Sequence, residues 1–472
     1  MDRKEAGVTR ILIEGGTVVT AAETVRADVL IAGEKVVALL GDGAPAVDGA
    51  TVIDASGRLV FPGSIDAHTH MEIPFGAATS KDTFETGTRA AALGGTTTII
   101  DFPIQMKGES LVGSFEETMA KAEPNSAIDF GFHQIVGDVN PQSLAELDIV
   151  LKEGVTSYKL FTAYPGVYYS TDAELMSVMQ WAAGNGSMIL MHAENGSAID
   201  LLREQAVARG DTAPIFHALT RPAAMEGEAA HRTILLSELT GAPLYIVHIS
   251  ARQVVEEISA ARARGSHVFG ETCPQYLYLE LSMLDQGFEG AKYVCSPPLR
   301  DPADGHQSAL WRGLANNDLQ VVATDHCPFD FEGQKTLGRE DFTKIPNGLP
   351  VVEHRFPLMI HAALCDKRFS LNRMVDISST TPAKIFGLYP KKGTIAVGAD
   401  ADIAIVDPAA TDTLSAATHH MNVDYSCFEG MELTGKVETV ISRGEVIVAD
   451  GQYRGRAGRG RYLKRGTNQL IF

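Results

Sequence analysis

The sequence predicts an α/β protein: a (β/α)8 barrel of the TIM type, joined to a small β-sandwich built from both ends of the chain. Three observations predict it. Between residues 64 and 325, apolar β-rich runs alternate with amphipathic or Ala-rich stretches. Short strand-like runs with glycine punctuation precede that repeat and return only after about residue 392. Residues able to bind metal or move protons fall at the ends of the apolar runs, where a barrel of this kind carries its chemistry.

Taken in order, residues 1–60 form the first part of the sandwich, with strands at 10–13, 28–32 and 35–39 separated by Gly15-Gly16 and Gly33. Residues 61–391 form the barrel. Its strands are expected over 64–70, 96–103, 127–136, 155–161, 187–193, 243–249, 266–273 and 319–325. Helical patterns lie between them at 83–93, 114–122, 144–152, 173–183, 223–239 and 253–264. Residues 392–450 supply the second part of the sandwich, with strands at 401–406, 437–441 and 445–448. Residues 451–472 are a tail containing Arg454, Arg456, Arg459, Arg461, Lys464 and Arg465. Such a tail alone would suit RNA. The body carries a net charge of −19, so docking on the acidic surface of its own or a neighbouring subunit is the preferred expectation.

The chain has 472 residues, 45% of them hydrophobic and 21% charged, which suits a soluble globular enzyme. The acidic balance argues against nucleic-acid and anionic-membrane partners. Five scattered cysteines, with no Cys-x-x-Cys pair, exclude a disulfide scaffold or thiolate zinc finger and suit a reducing cytoplasm. The opening residues lead into no long apolar segment, so neither a signal peptide nor a membrane span is expected.

The chemistry begins at His68 and His70, two imidazoles on the same face of a strand. Lys159 closes the run Val155–Phe161, His192 closes Met188–His192, His248 closes Leu244–His248 and Asp325 closes Val321–Asp325. An ammonium has no lone pair, so Lys159 could join a metal site only as the neutral amine or, after CO2 adds to it, as a carbamate. Four imidazoles, one carboxylate and one carbamate suit two zinc-like ions. With a bridging hydroxide the site would stay slightly positive, which favours an oxyanion. His326 is expected just behind the ligands, and the remaining histidines are read as structural.

The motifs at Asp66–His70, Tyr158–Phe161, Met191–Asn195, Val247–Ser250, Cys295–Arg300 and Thr324–His326 resemble those of the dihydropyrimidinase and D-hydantoinase family of the amidohydrolase superfamily. The resemblance runs over essentially the whole chain. It implies one zinc held by His68, His70, Lys159 and Asp325, and a second held by N6-carboxylated Lys159, His192 and His248. It implies that Tyr164 donates to the oxyanion, that the main chain of Ser296 and Asn347 binds the ring amide, and that Met71, Ile73, Phe161 and Tyr168 line the pocket for a ring substituent. A cytoplasmic homotetramer is also implied. One departure is Val351, where the family pattern calls for glycine; a β-branched residue disfavours positive φ.

The reaction expected from these residues is attack of a bridging hydroxide on a ring amide, with Asp325 as general base and then general acid. The product would be an N-carbamoyl amino acid. Dihydroorotases place a cation after the His-x-His pair, whereas Met71, Glu72 and Ile73 follow it here. A neutral ring such as 5,6-dihydrouracil or a 5-substituted hydantoin therefore fits, with a D-hydantoinase-type preference for bulky hydantoins as the alternative. The competing class is a non-catalytic tetrameric scaffold. Relatives of that kind lose metal ligands, and here all six positions are filled.

Overall fold

Runs of Val, Ile, Leu and Met without polar alternation make strands buried on both faces, and such strands pair in parallel beneath helices. The computed structural model describes residues 9–41 and 47–470. It shows this arrangement as two curled parallel sheets. The three-stranded one holds Ser64–Asp66, Thr96–Asp101 and Asp129–Phe132. The six-stranded one runs in order through Gln134–Ile135, Ser157–Phe161, Met188–His192, Leu244–Ile246, Val268–Thr272 and Val321–Val322. Every strand expected between 64 and 325 contains an observed strand. The third, expected as one run over 127–136, is split at His133. Its halves pair with different neighbours, Phe132 opposite Asp101 and Ile135 opposite Lys159. Parallel bridges join the sheets at both margins, Ile104 to Ile135 and Thr69 to His326.

Helices cross between the strands and cover them. Their starts follow from local chemistry. Thr171 accepts from Glu174 N while Glu174 returns a bond to Thr171, closing a capping box before Asp172–Asn185. Asn140 caps Pro141–Lys152, whose first residue is the proline that suits that position. Helices Gly196–Ala208, His306–Asn316 and Arg355–Leu364 add to those expected. No helix among the described residues is long and apolar enough to cross a membrane.

The flanking pieces do pair. Strand Leu59–Pro62 runs antiparallel to Ile403–Thr413, with Val60 opposite Ile405, and so joins both pieces in a single ten-stranded sheet. Its core gathers Ile11, Val29, Ile31 and Val60 with Ile403, Ile405 and Ile441. The tail docks on its own chain rather than standing free. Arg461 pairs with Glu34 at 2.6 Å and Lys464 with Glu153 at 2.8 Å. The Arg465 guanidinium is buried and donates to Phe132 O, at the end of strand Asp129–Phe132, and to Ser157 Oγ, at the start of strand Ser157–Phe161.

Candidate metal centre

Because the strands are parallel, residues at or just past their ends converge at one rim. Lys159 and His192 lie within strands. His68 and His70, expected on a strand, follow its end at Asp66, and His248 and Asp325 follow Ile246 and Val322. His68 Nε2 and His70 Nε2 lie 3.2 Å apart, and Asp325 Oδ1 lies 3.2 Å from each. Three atoms 3.2 Å apart are spaced like the edge of a tetrahedron with bonds of about 2.0 Å, the Zn–N and Zn–O length. Lys159 Nζ is 2.9 Å from His68 Nε2, and His192 Nδ1 is 2.9 Å from His248 Nε2. All six side chains are buried or nearly so. The structure thus brings together every ligand expected from the sequence, and the donor set fits a pair of divalent ions.

The surroundings fix the donors. His68 Nδ1 bonds Glu271, which also accepts from Tyr245 Oη at 2.8 Å. His192 Nε2 meets Glu194 Oε2 at 2.8 Å, leaving Nδ1 toward His248. Carboxylates behind imidazoles set the tautomer and raise ligand basicity. Asp66 lies behind the pair and ties two strands together, accepting from Thr324 N at 3.1 Å and Thr324 Oγ1 at 2.7 Å. His326 Nε2 bonds Asp82 at 2.9 Å, and its Nδ1 accepts from Val351 N and Val352 N, so it braces the site without joining it.

Electrostatics follow from burial and these partners. Burial pushes the Lys159 amine down to about 8, and pushes His68 and His248 well below the usual imidazole value. Burial alone would raise Asp325, but the imidazoles of His68 and His70 hold it at about 2. Burial and the nearby Glu194 carboxylate lift the Tyr164 phenol to about 12, so it stays a neutral donor. Three site residues hold positive φ without being glycine: His248 at 40°, Asp325 at 51° and Tyr164 at 58°. Each such residue costs on the order of 1–3 kcal/mol and is kept where function needs the geometry.

The pocket over the centre is lined by Ile73, Phe75, Ile135, Phe161, Tyr164, Tyr168, Ser296, Cys327, Asn347 and Gly348, besides the ligands. Ile73, Phe161, Tyr164, Tyr168, Ser296 and Asn347 are therefore where the sequence placed them. Met71 is not. It opens the turn at Met71-Glu72 and faces a neighbouring chamber with Phe84 and Met106, against Gly87. Val351 causes no strain, because its φ is not positive. The special conformation falls on Gly348 at φ 151°, where a Cβ would sit 2.1 Å from Cys327 O. Sequence reasoning missed Glu271, Glu194, Phe75, Ile135 and Cys327. Only Glu271 left a signal, as a lone acid inside the apolar run 266–273.

With this geometry in hand, comparison with known proteins is direct. The amidohydrolase family model matches residues 59–447. The chain is 57% identical to a D-hydantoinase of Streptomyces coelicolor over 98% of this chain and 99% of that one. It is 51% identical to a D-hydantoinase of Geobacillus stearothermophilus over 96% of each. The solved structure of a dihydropyrimidinase from Brevibacillus agri superposes with a TM-score of 0.96 at 50% identity, covering 98% of this chain and all of that one. The chain belongs to the amidohydrolase family, in its group of D-hydantoinases and dihydropyrimidinases.

Proposed function

We propose that this enzyme is a metal-dependent hydrolase that opens a neutral cyclic amide, a 5,6-dihydropyrimidine or a 5-substituted hydantoin, to an N-carbamoyl amino acid. The observation that carries the reading is the convergence of His68, His70, Lys159, His192, His248 and Asp325 at one rim. We infer that the two parallel sheets close as one (β/α)8 barrel, supported by the bridges at Thr69–His326 and Ile104–Ile135. The proposed division is 1–60 and 392–450 for the sandwich, 61–391 for the barrel and 451–472 for the tail.

His68, His70, Lys159 and Asp325 would hold one zinc ion; Lys159 as a CO2-derived carbamate, with His192 and His248, would hold the other. When bound, such a pair supplies a hydroxide nucleophile near neutral pH and polarises the ring carbonyl. Asp325 takes the nucleophile's proton and returns it to the leaving ring nitrogen. Tyr164 donates to the oxyanion. The main chains of Ser296 and Asn347 hold the ring amide: their N–H and C=O groups have no main-chain or side-chain partner among the described residues.

No Arg lines the pocket, and its only Lys is Lys159, so a substrate carboxylate finds no free cation. Ile73, Phe75, Phe161 and Tyr168 form an apolar wall that supports a bulky 5-substituent. The filled ligand set argues against a non-catalytic scaffold. A cytoplasmic homotetramer is the state proposed from the family resemblance. The deciding experiment compares initial rates of ring opening for dihydrouracil and 5-phenylhydantoin, with zinc and bicarbonate supplied. Faster phenylhydantoin opening is expected from the apolar wall. Faster dihydrouracil opening would make it a dihydropyrimidinase in use, and opening of neither ring by folded, metal-loaded protein would refute the reading.

A further inference from the structure

Lys335 is a buried amine with neither solvent nor a counter-ion. Burial pushes it down to about 7, and its three carbonyl acceptors favour the ammonium form, which alone has three N–H donors. It begins the short turn Lys335–Gly338, in the segment between strand Val321–Val322 and helix Arg355–Leu364. It is fully buried, and no carboxylate pairs with it among the described residues. Its ammonium instead donates to three main-chain carbonyls: Pro346 O at 2.7 Å, Val294 O at 2.9 Å and Gly348 O at 2.9 Å.

Those carbonyls bracket the two pocket residues that offer free main-chain groups. Val294 lies two residues before Ser296, and Pro346 and Gly348 flank Asn347. Gly348 N also donates to Val294 O at 3.0 Å, so the ammonium staples the segments where they already meet.

Satisfying carbonyls does not require a buried charge, and burying one is costly. What the ammonium adds is polarisation. Its bond to Pro346 O draws electron density through the peptide unit whose N–H belongs to Asn347, making that N–H a stronger donor. That N–H and the N–H of Ser296 have no acceptor among the described residues, and both residues line the pocket.

We propose that Lys335 is the positioning residue of the ring-binding cradle, clamping the Ser296 and Asn347 segments together and sharpening the Asn347 N–H toward the ring amide. This rests on the proposed function for what the cradle holds. Lys335 acts through the main chain, so its removal weakens binding of the ring common to all substrates rather than of the 5-substituent.

The test uses full-length Lys335→Met, loaded with zinc and bicarbonate. Its KM for dihydrouracil and for 5-phenylhydantoin should both rise at least ~10-fold, by factors within about threefold of each other, while kcat falls less than about fivefold. Metal content should match the parent. An unchanged KM, a rise for one substrate alone, or lost metal would each overturn the proposal. Should Lys335→Met not fold, Lys335→Arg takes its place, since a planar fork cannot meet three convergent carbonyls. The same paired rise in KM is then expected, and parental KM values overturn the clamp. A parent enzyme that opens neither ring sinks the proposed function instead, which keeps the two failures apart.

Discussion

At the rim where the parallel strands end, His68, His70 and Asp325 point lone pairs at one centre, and the nearest cation of the chain is Lys159, 2.9 Å from His68. At the opposite rim Asp129, Asp400 and Asp402 converge as closely. There Lys392 Nζ lies 2.6 Å from Asp129, 2.6 Å from Asp402 and 3.0 Å from Asp400, while Arg443 Nε lies 2.9 Å from Asp129. Three carboxylates that already hold an ammonium are a structural joint, here between the parallel sheets and the ten-stranded sheet. Imidazoles and a carboxylate whose lone pairs converge on one point are a candidate ligand set. Crowding of ligand-type residues is common to both; what differs is whether the chain's own cations have filled the space.

The comparison is broken most sharply at Lys159. Lys159→Ala should lose the metal pair and at least ~1000-fold in turnover, read by metal analysis alongside initial rates. Retention of both metals and full activity would remove the carbamate assignment. Asp325→Asn should keep much of its metal yet lose about 10²–10⁴-fold in kcat, the usual worth of positioned acid–base catalysis. Near-parental kcat would take the proton shuttle away from it.

At the other rim, Lys392→Met leaves buried Asp402 without a cation, while Asp129 keeps Arg443 and Asp400 keeps Lys35. It should cost about 3–5 kcal/mol in stability, measured by urea unfolding, with kcat little changed. A stable variant that lost turnover would tie the far rim to the chemistry. The smallest effect is expected at Arg461, whose pair with Glu34 is exposed on both sides. Arg461→Ala should cost only about 0.2–1 kcal/mol, and a larger loss would mark the tail as a main support of the fold.

Much of this was legible in advance. The convergence of the six candidate ligands could be read because each closes an apolar run, and parallel strands bring their ends to one rim whatever their sequence separation. The residues that orient them could not. Glu271 meets His68 across 203 positions of sequence, and no local pattern couples the two. Lys335 was unreadable for the same reason, since its partners are carbonyls, which every residue has. Met71 misled because nearness to His70 in sequence suggested nearness to the pocket, whereas the chain turns at Met71-Glu72 and the side chain packs against Gly87. The split of the third strand at His133 was missed, although the polar pair His133-Gln134 interrupts the run 127–136 at that point.

The sequence by itself determined the alternation of strands and helices, the chemistry available at the strand ends and the β-rich character of the two flanking pieces. These rest on periodicity and residue type, which are local. Tertiary structure alone decided that Asp325 meets His68 and His70 while Asp129, Asp400 and Asp402 meet Lys392, where Arg465 inserts, and which carbonyls Lys335 reaches. Those outcomes depend on which groups meet after folding, because a buried charge or lone pair takes its meaning from the partner placed within about 3 Å of it.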